Sequence, residues 1–176
     1  METMLPERQP LTPDTDAAAC KGLVRRVVEE AVNGGNLAVL AELLAPDIHG
    51  GVPGVHGAPD VQELLRVYRE AVPDARWIIE EQFADGHMVV TNLVATGTQR
   101  GPLWGLPATG KRMAVAGTLF CACANGKITE QRLQLDVLGL LQQLGVMPEL
   151  SLEHEVLVAR VAQQNAAAYR NRDTQE

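Results

Sequence analysis

Aromatic side chains are scarce in this chain: two Trp, two Tyr and two Phe make up 3% of 176 residues. Any pocket must therefore be walled mainly by Leu, Val, Ile, Ala and Met. Basic runs are absent, and the net charge is −7. Both facts argue against a nucleic-acid partner, because phosphate binding needs clustered Lys and Arg. No apolar stretch approaches the roughly 20 residues needed to cross a bilayer, and Met1–Pro6 lacks the apolar core of a signal peptide. The expectation is a cytoplasmic protein without a membrane partner. Cysteine is limited to Cys20, Cys121 and Cys123, an odd number that fits a reduced compartment better than a disulfide framework. Cys121 and Cys123 lie two apart in a strand-like run, and the expectation for both is a small buried apolar residue. A phosphate-binding glycine motif, a nucleophilic Ser elbow and a Cys/His pair are all missing, so no cofactor or metal is expected.

Hydrophobic residues make up 46% of the chain and charged residues 21%. That balance is ordinary for one soluble globular domain with a real core. Pro6, Pro10 and Pro13 mark residues 1–16 as a disordered arm. The apolar stripe Leu23, Val24, Val27, Val28, Ala31 and Val32 predicts a helix over 17–33, ended by Gly34-Gly35. Asn36 can cap a short helix that runs through Leu44 and stops before Pro46. Residues 46–59, rich in Gly and Pro, predict an irregular surface excursion. A third helix starts near Pro59-Asp60, carries Val61, Leu64, Leu65, Tyr68 and Val72 at helical spacing, and ends before Pro73.

Strand patterning then takes over: 76–84, a turn at Asp85-Gly86, 87–98, a long Gly/Pro loop, 112–124, a turn at Asn125-Gly126, and 127–136. Asp-Gly and Asn-Gly tolerate positive φ, so both turns predict hairpins. A short helix follows over 138–144, and Ser151 can cap a last one reaching about residue 170. Helices first and an antiparallel sheet second give an α+β cone over 17–148, with a C-terminal helical extension over 149–176.

The order of motifs from Gly97 onward is specific. Gly97-Thr98-Gln99-Arg100-Gly101 leads into Gly105-Leu106-Pro107-Ala108-Thr109-Gly110-Lys111. Gly126-Lys127-Ile128-Thr129-Glu130 opens the last strand, and the run from Asp136 to Gly145 follows it. This order resembles the SnoaL-like polyketide cyclases of the nuclear transport factor 2-like superfamily. The resemblance covers residues 22–147. It implies a cone-shaped curved antiparallel sheet closed by helices around a cavity, a homodimer formed through the outer sheet face, and a cyclase of secondary metabolism acting on an apolar, polyketide-like small molecule by general acid/base catalysis.

By that resemblance Asp136 takes the position of the general base. Strand alternation places Ile128, Glu130, Arg132, Gln134 and Asp136 on one face, and the resemblance turns that face toward the cavity. Two roles fit Asp136: a base made stronger by an apolar surrounding, or the cap of the following helix. Gln99 stands where the family often has His, Leu93 where many relatives have Trp, and Arg132 where an aromatic is common. Gln99 and Arg132 are then orienting donors, although Arg132 can equally pair with Glu130. His49, Trp104, Leu93, Gln134 and Tyr68 are candidate substrate contacts, with Trp104 either a lid or a loop anchor. An epoxide hydrolase or epoxide-opening cyclase on the same fold is an alternative, weakened by the spacing of Arg132 and Asp136, about 13 Å apart along one strand at 3.3 Å per residue. A non-catalytic small-molecule binding protein is another.

Overall fold

The structure is a computed structural model that describes residues 16–51 and 56–147. The expected N-terminal arm, apart from Asp16, and the expected C-terminal helix lie outside the described residues. The first apolar stripe forms one continuous helical run in two geometries, α1 (Ala17–Arg26) followed by a π-helical segment (Val27–Asn33). Asp16 caps it by accepting from the backbone N–H of Ala19 at 2.7 Å. Its buried side, Cys20, Val24, Val27, Val28, Ala31 and Val32, is the predicted stripe with Cys20 added and Leu23 left at its partly exposed margin. A 3-10 turn (Leu37–Val39) and a single-turn helix α2 (Leu40–Leu43) follow.

Residues 44–49 differ from expectation. They form a strand, β1 (Leu44–His49), paired parallel with the last strand. Pro46 is tolerated because β1 is an edge, where a missing N–H breaks no ladder bond on the open side. Lys127 ties this corner together: its ammonium donates to the carbonyls of Ala41, Glu42 and Leu44 at 3.0, 2.7 and 3.3 Å, which satisfies the end of α2. Helix α3 (Gly57–Ala71) then crosses back, beginning two residues before the predicted Pro59.

The four long strands fall within a residue or two of prediction: β2 (Arg76–Asp85), β3 (Met88–Thr98), β4 (Arg112–Ala124) and β5 (Lys127–Leu135), followed by α4 (Val137–Gln143). Together with β1 they make a curved, unclosed five-stranded sheet in the order β1-β5-β4-β3-β2, packed with the N-terminal helices. The fold is the expected α+β one.

Strict alternation along β3 puts Val89, Thr91, Leu93 and Ala95 on the helix-covered face. Two core clusters occupy that face. The larger joins α1, the π-helical segment and α3 to the middle of the sheet; the smaller joins Ala71, Val72, Ala75, Leu103, Met113, Val115, Leu140 and Leu144.

The cysteines correct the sequence reading. Cys20 of α1 and Cys123 of β4 are joined as a disulfide across the larger cluster, with Cα atoms 5.8 Å apart, and Cys121 alone is a free thiol. An odd count did not exclude a pair, because the partner of Cys123 is brought in from 103 residues away rather than from its own strand. Burial is as expected for Cys121 and Cys123, and Cys20 is buried as well.

Candidate functional site

Register along β5 decides which side chains can meet a ligand inside the fold. Leu133 pairs with Leu119, Gln131 with Cys121 and Leu135 with Gly117, so Gln131, Leu133 and Leu135 face the helices. Glu130, Arg132 and Gln134 pair with Ala122, Phe120 and Thr118, and face outward. A shift in register between Ala122 and Cys123 leaves Thr129 as an extra residue. Across this bulge Ile128 returns to the core, 1% exposed. The expected polar row is therefore reversed: of that set only Ile128 points inward. Period-two alternation defines two faces without saying which one is covered, and the apolar Leu133 and Leu135 took the covered one.

Arg132 and Gln134 instead border an open depression of about 320 Å³ on the outer face, together with Met88, Phe120, Ala122 and Glu130. Arg132 pairs with Glu130, and His49 Nε2 lies 4.0 Å from the other side of the same carboxylate, its ring largely exposed. The ion pair, one of the two roles open for Arg132, is the one formed. Exposed pairs of this kind contribute about 0 to 1 kcal/mol.

Asp136 is exposed at the end of β5, and its Oδ1 accepts from the N–H of Gly139 at 2.9 Å as the cap of α4. The inward-pointing, partly dehydrated carboxylate expected there is not what the free protein presents. Arg132 and Asp136 converge on no common point, since each is occupied by a different local partner, which further weakens the epoxide-opening alternative. Asp74, next in line among carboxylates near an arginine, accepts from both the N–H and the hydroxyl of Thr98 at 2.7 and 2.8 Å.

Gln99 is fully buried and entirely engaged. Its Nε2 donates to the carbonyls of Gly101 and Pro107 at 3.3 and 3.1 Å, while its Oε1 accepts from the hydroxyl and N–H of Thr109 at 2.6 and 3.2 Å. It ties the two ends of the 99–110 loop together and has no donor left for a substrate. The anchor of that loop is Leu103, 3% exposed, whereas Trp104 stands 57% exposed at the tip of a tight turn with φ of 50°. Leu93 is buried in the larger cluster at 1% exposure and offers no surface. Of the expected substrate contacts, Tyr68 alone is on the covered side and partly open.

What sequence reading missed is a seam. Trp77, in register with inward-facing Ala95, and Leu133 pack against the larger cluster while remaining partly exposed. Tyr68 and Leu135 do the same against the smaller one. The two clusters approach each other where Tyr68 meets Trp77 and where Leu135 and Leu93 both reach Gly117, with Gln131 the next inward residue of β5 before Leu133. Gly117 lies at its floor, where a Cβ would come within 2.7 Å of Leu135 Cδ2. The Tyr68 hydroxyl accepts from Trp77 Nε1 at 3.2 Å, and burial raises its pKa above the ordinary phenol value, helped by the charge of Asp74. The inward direction of Gln131 amid apolar neighbours was legible in the alternation of β5, had the covered face been assigned from Leu133 and Leu135.

Among the described residues no group of three or more His, Cys, Asp or Glu could hold a metal ion, and no helix is long and apolar enough to cross a membrane.

A curved sheet with helices on one face and a split apolar interior matches a known class. Residues 22–144 match the family model of SnoaL-like polyketide cyclases, and the chain belongs to that family. Among solved structures it is similar to TsrD from Streptomyces laurentii, at 26% identity and a TM-score of 0.71 over 76% of this chain and 100% of that one. It is also similar to IdmH from Streptomyces antibioticus, described as a candidate polyketide cyclase, at 26% identity and a TM-score of 0.63 over 72% of this chain and 98% of that one. AclR from Streptomyces galilaeus, described as a candidate hydroxylase, matches at 25% identity and a TM-score of 0.66 over 75% and 99%. No curated protein matches the sequence significantly.

Proposed function

We propose that this chain is an enzyme of the polyketide cyclase type that seats an apolar, polyketide-like substrate along the seam between its two core clusters and closes a ring by proton transfer. Family membership supports the general role. The observation that supports the seat is the row Tyr68, Trp77, Leu133 and Leu135, four of the partly buried apolar side chains that pack on the two clusters, two of which, Tyr68 and Trp77, touch each other from different clusters.

Asp136 follows Leu135 in sequence, and its carboxylate caps α4 from an exposed position just past the end of β5; the reading requires a substrate seated along the row to extend beyond Leu135 to reach it. Oδ1 is used by the cap; Oδ2 is the atom that would take a proton from the carbon next to a carbonyl. In the free protein the group is exposed, so the dehydration that strengthens it as a base has to be supplied by the apolar substrate lying over it.

Asn caps a helix as well as Asp, whereas Ala loses about 1 kcal/mol. Asp136→Asn is therefore expected to keep its denaturation midpoint and lose turnover of poly-β-ketone substrates, and Asp136→Ala to lose both. Undiminished turnover in the Asn variant refutes the assignment. A binding protein without turnover is the second reading, favoured by the full engagement of Gln99 and the pairing of Arg132. It predicts a tightly held apolar ligand recovered unchanged.

We also propose a homodimer through the outer sheet face, where Ile78, Phe83 and Phe120 are exposed. Basic residues, Arg76 and Arg112, stand at one end of this face and acidic ones, Asp85 and Glu130, toward the other. A twofold axis lying between two such faces, at right angles to the strands, would lay each end on its complement.

A further inference from the structure

The π-helical segment ends on Asn33, and the side chain of Asn33 reaches the first turn of β2. Its Oδ1 accepts from the backbone N–H of Trp77 at 2.7 Å, and its Nδ2 donates to the carbonyl of the same residue at 2.9 Å. Both backbone groups of Trp77 are thereby fixed by one amide. An i→i+5 turn shifts the residues after it around the helix axis relative to an α-helix, and this one delivers Asn33 to the strand.

The indole so held makes an edge-on contact with Tyr68, ring centroids 6.2 Å apart and planes at 64°, and donates Nε1–H to the phenol oxygen. A phenol has one proton to give. Since the oxygen is already accepting from Trp77, the O–H is left as a donor, and among the described residues no acceptor takes it. Tyr68 remains protonated because burial disfavours its charged form. The result is a neutral donor, in apolar surroundings where a hydrogen bond is worth more than in water.

We propose that the Tyr68 hydroxyl is the group that binds a carbonyl oxygen of the ligand, and that Asn33 and Trp77 are positioning residues that aim it. The proposal rests on the seam being the ligand seat. It specifies the ligand class as an apolar molecule bearing a ketone near the Tyr68 end, and gives an enolate oxygen formed there a donor as charge develops.

Fluorene and 9-fluorenone separate the two claims, since they share a shape and differ by the ketone. Binding is followed by quenching of Trp77 in a Trp104→Phe background, which leaves one indole. Both probes are expected to bind, with fluorenone about tenfold tighter, as one hydrogen bond of roughly 1 to 1.5 kcal/mol provides. Tyr68→Phe should remove the fluorenone advantage and leave fluorene affinity unchanged. Asn33→Ala should narrow the ratio of the two affinities, a readout that a loss of stability alone would not move, while Asn33→Asp, which keeps the acceptor for the Trp77 N–H, should restore part of it. Fluorene binding with no ketone preference, or a preference indifferent to Tyr68→Phe, overturns the donor assignment and leaves the seat standing. Failure of both probes to quench Trp77 overturns the seat and the donor together.

Discussion

Gln99, expected as an orienting donor, is held instead by its own loop. A glutamine amide offers two donors and an acceptor, and here every direction meets a loop group: two carbonyls, one hydroxyl and one N–H. Gln99→Ala would leave those groups buried without partners, at a cost of about 2 to 3 kcal/mol. A lowered midpoint in urea denaturation, with m unchanged, is the expected reading. Asp74 allows a test in pH. The backbone N–H and then the hydroxyl of Thr98 hold its carboxyl below the usual carboxylate range. A depressed folded value means the unfolded chain binds the proton more readily, so the contribution is present above the unfolded value of about 3.9 and disappears as pH falls through the folded one. Between pH 5 and pH 3, the wild type should therefore lose stability that Asp74→Asn does not lose, measured as denaturant midpoint against pH.

Elements were legible where periodicity and turn residues agreed. The positions of β2 to β5 follow from strand patterning and from the Asp85-Gly86 and Asn125-Gly126 turns, where Asn125 and Gly126 do take positive φ, even though β2 and β5 each carry a register shift. The change from α to π geometry after Arg26 left no mark on the apolar stripe, because the buried side of α1, Cys20 and Val24, continues without a break into that of the π-helical segment, Val27, Val28, Ala31 and Val32. Strand β1 was illegible for another reason: six residues holding a proline carry too little alternation to announce a parallel edge, whose pairing with β5 comes from tertiary contacts. The candidate site suffered most from the Thr129 bulge. A single extra residue reconciles an inward Ile128 with an inward Leu133, and no residue type in Lys127–Leu135 marks where it falls. Asp136 capping α4 was readable from its place at the strand-to-helix junction.

At the scale of the molecule, the disulfide and the outer face make separate predictions. Cys20–Cys123 closes a loop with a sequence separation of 103, and constraining so long a loop in the unfolded chain contributes roughly 2 to 5 kcal/mol. Alkylation of the protein unfolded without reductant should label one cysteine, Cys121, and three after reduction. Three labels without reductant would show that the thiols are free. The outer face predicts self-association: Phe83→Lys combined with Ile78→Lys should convert a dimer to a monomer in sedimentation without lowering the stability of the protomer by more than about 0.5 kcal/mol, as for exposed positions generally. A wild-type monomer at micromolar concentration would refute the interface.

The amide that steadies Trp77 has a second effect. Strand β2 is the last in its sheet, and the backbone of such a strand is a template on which any extended chain can polymerise. At Trp77 both hydrogen-bonding groups are already spoken for by Asn33, and Gln143 does the same at Ala114, where β4 runs past the end of β5. Two side chains thus act as one-residue strands that occupy the sheet's free margins, and an incoming chain would have to displace both before aggregation could start there.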